Sequence, residues 1–471
     1  MDGFRAPLRT LVEVLAAKPQ DCEPMARLCT GITTDTRTVQ AGDLFVALTG
    51  ERFDGHDFVA QAIAKGAIAA VVRAGALKPD TAIPRLEVND TLVAYQALAQ
   101  WWRQQRGLPV VAITGSVGKT TTKELVSAAL SLFGTVLKTE ANHNNEIGVP
   151  KTLLAIRASH DYAVVEMGMR GLEEIALLTQ IAQPDVALMT NVGTAHIGRL
   201  GSREAIAQAK CELLRELPTA GIAVLNADDP LLMSTAAQVW TGKKITYGLN
   251  GGDVRGQVLY EPVAKDAPVN ERLVKERLVK EELLIDDVRI PMPLPGRHNA
   301  LNLLGAIATL QALNLDWRKL AQGFEVTMPA GRSQVHHLPH DITLLDETYN
   351  AGAEAMIAAL QLLAAQPAAR RIAVLGTMKE LGAQSVALHR QIGQTVADLN
   401  LDALLILADP AEAEAMAEGA QGIISQQFTS HAALGDHLKE IIKSGDRILF
   451  KASRSVQMDK VVIQLLKDFS S

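Results

Sequence analysis

The stretch 109–133 constrains the fold of this chain more than any other. Val110, Val111, Ala112 and Ile113 form a short apolar run of the kind a buried parallel strand carries. The turn Thr114-Gly115-Ser116-Val117-Gly118-Lys119-Thr120 follows directly, and Thr121 continues it. Leu125, Ala129, Leu132 and Phe133 then recur at helical spacing, and Gly134 stops the helix. A glycine-bearing turn that opens a helix points backbone N–H groups outward and so attracts phosphate. Lys119 adds a charge for terminal phosphates, and the Thr120 hydroxyl suits Mg²⁺. The general phosphate-loop pattern asks for glycine where Ile113 stands, and Gly115 serves instead. Strand, turn and helix in this order predict an α/β nucleotide-binding unit.

The rest of the chain is long enough for more than one such unit. At 471 residues it should hold two to four domains. Apolar residues make up 48% and charged residues 21%, which is ordinary for a soluble globular protein. The net charge of −6 argues against wholesale nucleic-acid binding. Cys22, Cys29 and Cys211 are too few for a disulfide framework and fit a reducing compartment. Arg5, Arg9 and Glu13 interrupt any leader-like apolar run, and no later run approaches membrane-spanning length. A cytoplasmic protein is expected.

Residues 1–106 read as a first unit. Helices are expected at 8–17, 58–65 and 91–106, a strand at 67–72, and a small sheet over 31–48 broken at Gly42-Asp43. Asp35, Arg37 and Asp43 cluster near those strands, and Arg52, Asp54 and His56 follow in a loop. Singly they suit solvated turns; as a set they suit a polar ligand.

Residues 107–328 read as the second unit. Asn142, Asn144 and Asn145 mark 139–150 as a long amide-rich loop. Three further strands end in Glu166-Met167-Gly168, in Asn191 to His196, and in Asn226 to Pro230. Ligands sit at the carboxyl ends of strands in open α/β sheets, so Glu166 and His196 are expected near the phosphate loop. A strand-end acid is the usual partner of the loop hydroxyl at Mg²⁺. A helix cap and a loop histidine remain the plain alternatives. Ser202 reads as the N-cap of a helix through Leu217, and Lys210 on that helix reads, by itself, as a solvated lysine. ERLVK occurs twice between Glu271 and Lys280 at a spacing that keeps no helical face, so 262–287 reads as a solvated excursion. A hairpin is expected at 283–294, a helix after Pro295 to Asn299, and helical structure through Thr327.

Residues 329–471 read as a second parallel α/β layer, with strands at 343–345, 371–375, 403–407 and 447–450. Ser453 and Arg454, at a strand end before a helix, suit an anion or a simple cap.

Taken together these stretches resemble the Mur ligases of the bacterial cell-wall pathway. The likeness runs over nearly the whole chain. DTRTVQAGDLFVAL and GERFDGHDF carry it first, then TGSVGKTTTKE, ANHNNEIGVP, EMG, NVGTAHIGRLGSREAIAQAK, LNADDP and PGRHNALN. Gly331-Arg332, DETYNAG, VLGTMKELG and KASRSVQMD carry it last. NNEIGVP and the Tyr349-Asn350 context are most similar to the branch that adds D-alanyl-D-alanine.

The resemblance implies an α/β fold of three domains. Residues 1–106 would be a small α/β domain for the UDP-sugar-peptide, 107–328 a P-loop ATPase-type domain, and 329–471 a Rossmann-like domain that closes on ATP and faces D-alanyl-D-alanine. It implies an ATP-dependent, ADP-forming ligase, which turns the carboxylate of UDP-N-acetylmuramoyl-tripeptide into an acyl phosphate for attack by the dipeptide amine. This would be the last cytoplasmic step of muramoyl-pentapeptide synthesis. It implies that Lys119 meets the phosphates, that Thr120 and Glu166 hold one Mg²⁺, that His196 helps hold a second, and that Lys210 is carbamylated. Asn299, Arg332, Asp346 and Tyr349 would surround the nucleotide. Thr36 and Gly50-Glu51-Arg52 would lie near the uridine group, Asn145 by the substrate, and Ser453 and Arg454 on the dipeptide side. A monomer is expected.

The chain departs from the family pattern at Gly352-Ala353, Ala452, Thr377 and Gly198-Arg199. Two alternatives stay open: a ligase of the same superfamily with another substrate, such as a folate polyglutamate-adding enzyme, and a nucleotide-binding switch that ligates nothing.

Overall fold

Val110–Thr114 forms the strand and Lys119–Leu130 the helix around which the sequence is organised. The strand is wholly buried from Val110 to Ile113. The helix ends at Leu130, earlier than the apolar spacing predicts: Phe133 N donates to Leu130 O in a closing turn, and Leu132 is 41% exposed. These positions belong to a computed structural model that describes residues 3–51, 53–78, 81–261 and 280–469. Packing divides the chain into two units, and each is taken by itself.

The first unit comprises Met1–Ile113, Leu130–Leu188 and Glu212–Ala223. Its small sheet runs in the order Lys18–Gln20, Arg85–Val88, Ala69–Arg73, Asp43–Val46, Gly31–Thr33. The last four strands are parallel and Lys18–Gln20 is antiparallel at one edge. Phe45, Val59, Ala62, Ala70 and Val72 form its core. Asp90 caps the helix Thr91–Gln104 by accepting from Leu92 N and Val93 N, where a carboxylate also favours the helix dipole. Trp102 Nε1 on that helix donates to Ile156 O, and Arg103 pairs with Asp185 at 2.9 Å. Val110–Ile113 pairs parallel with Tyr162–Glu166, and Glu166 stands opposite Ile113. The loop expected over 139–150 is shorter than the sequence suggests, because the helix Gly148–Leu154 begins inside it. Pro150 fits the first helical turn, where a missing N–H costs nothing.

The second unit comprises Thr114–Ala129, Met189–Cys211 and Val224–Ser471. Val254–Glu261, Lys280–Ile285 and Val288–Pro291 form an antiparallel meander. The hairpin therefore starts at Lys280, inside the stretch read as a solvated excursion, because Leu283 and Ile285 bury their side chains. The ERLVK repeat, Lys280 apart, lies outside the described residues. The helix Arg297–Ala312 is buried on most sides, as its nearly continuous apolar sequence requires. The helical structure expected through Thr327 is confined to a short 3₁₀ segment, Trp317–Gln322. The final sheet runs Gln334–Leu338, Ile342–Glu347, Asp446–Lys451, Arg370–Gly376, Ala403–Leu407, Ile424–Gln427, with only the first pair antiparallel. Leu344, Ile372, Val374, Ile448 and Phe450 fill its core. Among the described residues no helix is long and apolar enough to cross a membrane.

Candidate active site

Thr190 and Asn191 set the shape of the glycine turn 114–120. Asn191 O accepts from Ser116 N at 3.0 Å, and its side-chain oxygen accepts from Val117 N at 3.0 Å. Asn191 Nδ2 and Thr190 Oγ1 both donate to Val117 O, at 2.9 and 2.6 Å. Two of the amides expected to face phosphate are thus held by Asn191 in this structure. Glycine is required at both ends of the turn. Gly115 has φ +154°, and a Cβ there would lie 1.9 Å from Thr190 Oγ1; Gly118 has φ +87°, and a Cβ there would lie 2.7 Å from Asn302 Oδ1. Thr122 Oγ1 donates to Asn302 Oδ1 and Asn302 Nδ2 to Asn299 Oδ1, so Asn299 reaches the loop through Asn302.

Lys119 folds back over its own loop, with Nζ donating to Gly115 O at 2.7 Å and Ser116 O at 3.2 Å. Thr120 is buried, Thr121 half-buried, and the Ser116 hydroxyl is buried without a hydrogen-bond partner among the described residues. Lys210 departs most from its plain sequence reading. It is 1% exposed and makes no hydrogen bond or ion pair among the described residues. Burial, and then the nearby charge of Lys119, hold its pKa well below the ordinary lysine value. His196 completes this cluster in a left-handed conformation, φ +67°. Its Nδ1 lies 2.6 Å from Glu380 Oε2. Burial lowers its pKa, Glu380 opposes that, and the Lys119 and Lys210 charges add to it.

Glu166 is 3% exposed at the end of its strand. Its N–H donates to Thr139 Oγ1, and Asn144 Nδ2 donates to its Oε1 at 2.9 Å. Asn145 accepts from Ile147 N and Gly148 N, a local turn role. Among the described residues no three His, Cys, Asp or Glu side chains converge as a metal cage. The second unit offers a hydroxyl at Thr120, an imidazole at His196 and an amine at Lys210, and the first unit offers the Glu166 carboxylate.

Arg332, Tyr349 and Arg454 come together in the second unit. The Arg332 guanidinium stacks 4.0 Å from the Tyr349 ring centre and that of Arg454 lies at 5.6 Å. Asp346 is spent on Thr348, accepting from its N–H and hydroxyl. Ser453 is buried and its Oγ accepts from Lys379 N. Lys451, which sequence reasoning passed over, is buried 3.6 Å from Glu347 and donates to Asn350 O. In the first unit, Thr36 O accepts from Lys65 Nζ, Gly50 N donates to Phe53 O, and Glu51 is exposed. Arg52 lies outside the described residues.

Three segments match known domains: residues 29–105 the Mur ligase family catalytic domain, 113–310 the Mur ligase middle domain, and 331–454 the Mur ligase glutamate ligase domain. A UDP-N-acetylmuramoyl-tripeptide–D-alanyl-D-alanine ligase of Synechocystis sp. is 51% identical over 437 residues, 93% of this chain and 92% of that protein. The chain belongs to the Mur ligase family. Two solved structures bear out the three-domain α/β fold expected of such a Mur ligase. MurF from Acinetobacter baumannii matches with a TM-score of 0.86 at 32% identity, covering 99% of this chain and 100% of that one. The MurF ligase of Thermotoga maritima in complex with ADP matches with a TM-score of 0.81 at 29% identity, covering 93% and 98%.

Proposed function

We propose that this Mur ligase joins D-alanyl-D-alanine to UDP-N-acetylmuramoyl-tripeptide, converting ATP to ADP and phosphate. The observation that carries this reading is the 51% identity, over 93% of the chain, to a protein of that name. The reaction brings a carboxylate onto a polyphosphate, so its transition state needs positive charge and fixed geometry. The rigid turn Gly115–Thr120 and the Lys119 ammonium meet that need. Lys119 leaves its own carbonyls for the phosphates when nucleotide binds. The acyl phosphate formed is attacked by the dipeptide amine, and phosphate departs as the amide forms.

Mg²⁺ fits the donor chemistry, and when bound it neutralises phosphate charge. Thr120 and Glu166 would hold one ion, and His196 would help to hold a second. Lys210 supports a carbamate rather than an ammonium. Burial favours its neutral amine, which adds CO₂ with loss of a proton. An ammonium would repel the cation, whereas a carbamate attracts it. Arg332 and Tyr349 suit the adenine and ribose, with Asn299 and Asp346 shaping the walls. Arg454 and Ser453 suit the dipeptide, and Thr36 and the Gly50–Arg52 loop the uridine. The corresponding domains are 1–106, 107–328 and 329–471, and the enzyme acts as a cytoplasmic monomer.

Purified protein should release phosphate only when the UDP-linked tripeptide and D-alanyl-D-alanine are both present, with mass detection of the pentapeptide product. Hydrolysis independent of substrate, or none with any pairing, would overturn the reading.

A further inference from the structure

The loop from Asn191 to Arg199 carries His196, and the chain beyond residue 330 grips it at two points. Glu354 lies in the first turn of the helix Ala353–Ala365. Its Oε1 accepts from Thr194 N at 2.7 Å and its Oε2 from the Thr194 hydroxyl at 3.1 Å. Bonds to an ionised acceptor are the stronger kind, and two of them fix orientation as well as distance. A carboxylate at a helix N-terminus is favourable in any case. Here both of its oxygens are turned outward onto Thr194 instead.

The neighbouring residue shows how tight the grip is. A Cβ on Gly193 would lie 2.6 Å from Glu354 Cδ, and Gly193 is not in the left-handed region. Space, not backbone freedom, asks for glycine there. Five residues on, Gly198 N donates to Glu380 O at 3.1 Å, and a Cβ on Gly198 would lie 2.6 Å from Gly382 N. Between the two grips His196 holds φ +67°, which a non-glycine residue keeps only where its surroundings over-determine it.

We propose that Glu354 is a positioning residue for the ligase reaction: its two-oxygen hold on Thr194 sets the backbone that presents His196 to the nucleotide side of the site. The chain beyond residue 330 thereby contributes to phosphoryl transfer and not only to binding the nucleotide and the dipeptide. This rests on the ligase reading given above.

The test is steady-state ligation by full-length variants, with thermal melting as the control for folding. Glu354→Ala should lower kcat about 10- to 100-fold, the scale of a 1 Å misplacement, and leave KM for the UDP-linked tripeptide within about twofold. Gly193→Ala should reproduce that loss, because its methyl group displaces the carboxylate. The double variant should be no worse than Glu354→Ala alone, since nothing is left to displace. Glu354→Gln keeps one acceptor and should recover part of kcat. Wild-type kcat in Glu354→Ala, or losses that multiply in the double variant, would overturn the inference while leaving the ligase reading intact. Absence of ligation by the wild-type protein would remove both.

Discussion

Glu380 Oε2 stands 2.6 Å from Nδ1 of His196, and the backbone of Glu380 also holds the loop through Gly198. The carboxylate is partly exposed and is shared with Arg199 at 3.7 Å. Such a pair adds little to stability but orients the ring. Glu380→Ala should therefore lower kcat by about tenfold, the lower range of orientation effects, with the melting temperature almost unchanged. Equal kcat in variant and wild type would show that the ring needs no such partner.

Lys210 gives a sharper expectation, because a lysine buried with no anionic partner among the described residues costs free energy. Lys210→Ala should lose about 100-fold or more of ligase activity, as removal of a charge-stabilising group does. Added bicarbonate should not restore it. Full activity in that variant would exclude any role for Lys210 in holding Mg²⁺.

The strand, turn and helix over 110–130, the strand end at Glu166 and the α/β character were legible because each rests on local pattern: an apolar run, a glycine turn, a helical repeat. What escaped the sequence was relationship at a distance. Lys210 is one lysine on a helix facing inward, and nothing in its neighbours' spacing says so. Asn191 and Asn302 stand inside the family-like stretches, but only the folded chain shows that their amides hold Val117 and Thr122. Glu354 lies 160 residues from Thr194, beyond the reach of any periodicity argument. The helix Gly148–Leu154 was hidden by the asparagines before it and by Pro150, which is unfavourable in most helical positions and harmless in the first turn.

His389 makes stability depend on pH. It is 0% exposed, with Nδ1 at 2.7 Å from Ser385 O and Nε2 accepting from Met378 N at 2.9 Å, so the neutral ring satisfies both neighbours. Burial pushes its pKa below the ordinary value, against the Ser385 carbonyl and the acids Glu412 and Asp409. A lowered folded pKa means that the unfolded chain takes up the proton first. The contribution is thus present above about pH 6.5 and is lost as pH falls through the folded value. Wild-type protein should show a steeper drop in melting temperature between about pH 7 and pH 5 than His389→Gln, which cannot take up that proton. Parallel curves would assign the pH dependence elsewhere.

Gly115 and Thr190 bear on each other through space that only glycine leaves. A methyl group at Gly115 would meet Thr190 Oγ1 at 1.9 Å, and φ +154° is strained for alanine even without that clash. Thr190 would have to release Val117 O, and the turn would shift. Gly115→Ala should raise KM for ATP and lower kcat together, by about 100-fold in kcat/KM, as misplacement near the reacting atoms does. Thr190→Ala removes the clashing oxygen and leaves Thr190 Cβ 3.1 Å from the new methyl group. The double variant should therefore recover part of the loss and stop short of wild type, because the backbone strain persists. Binding of ADP, measured by titration calorimetry, should follow the same order: wild type, double variant, Gly115→Ala. A double variant that binds ADP more weakly than Gly115→Ala would mean that the Thr190 hydroxyl matters more for holding Val117 than its clash costs.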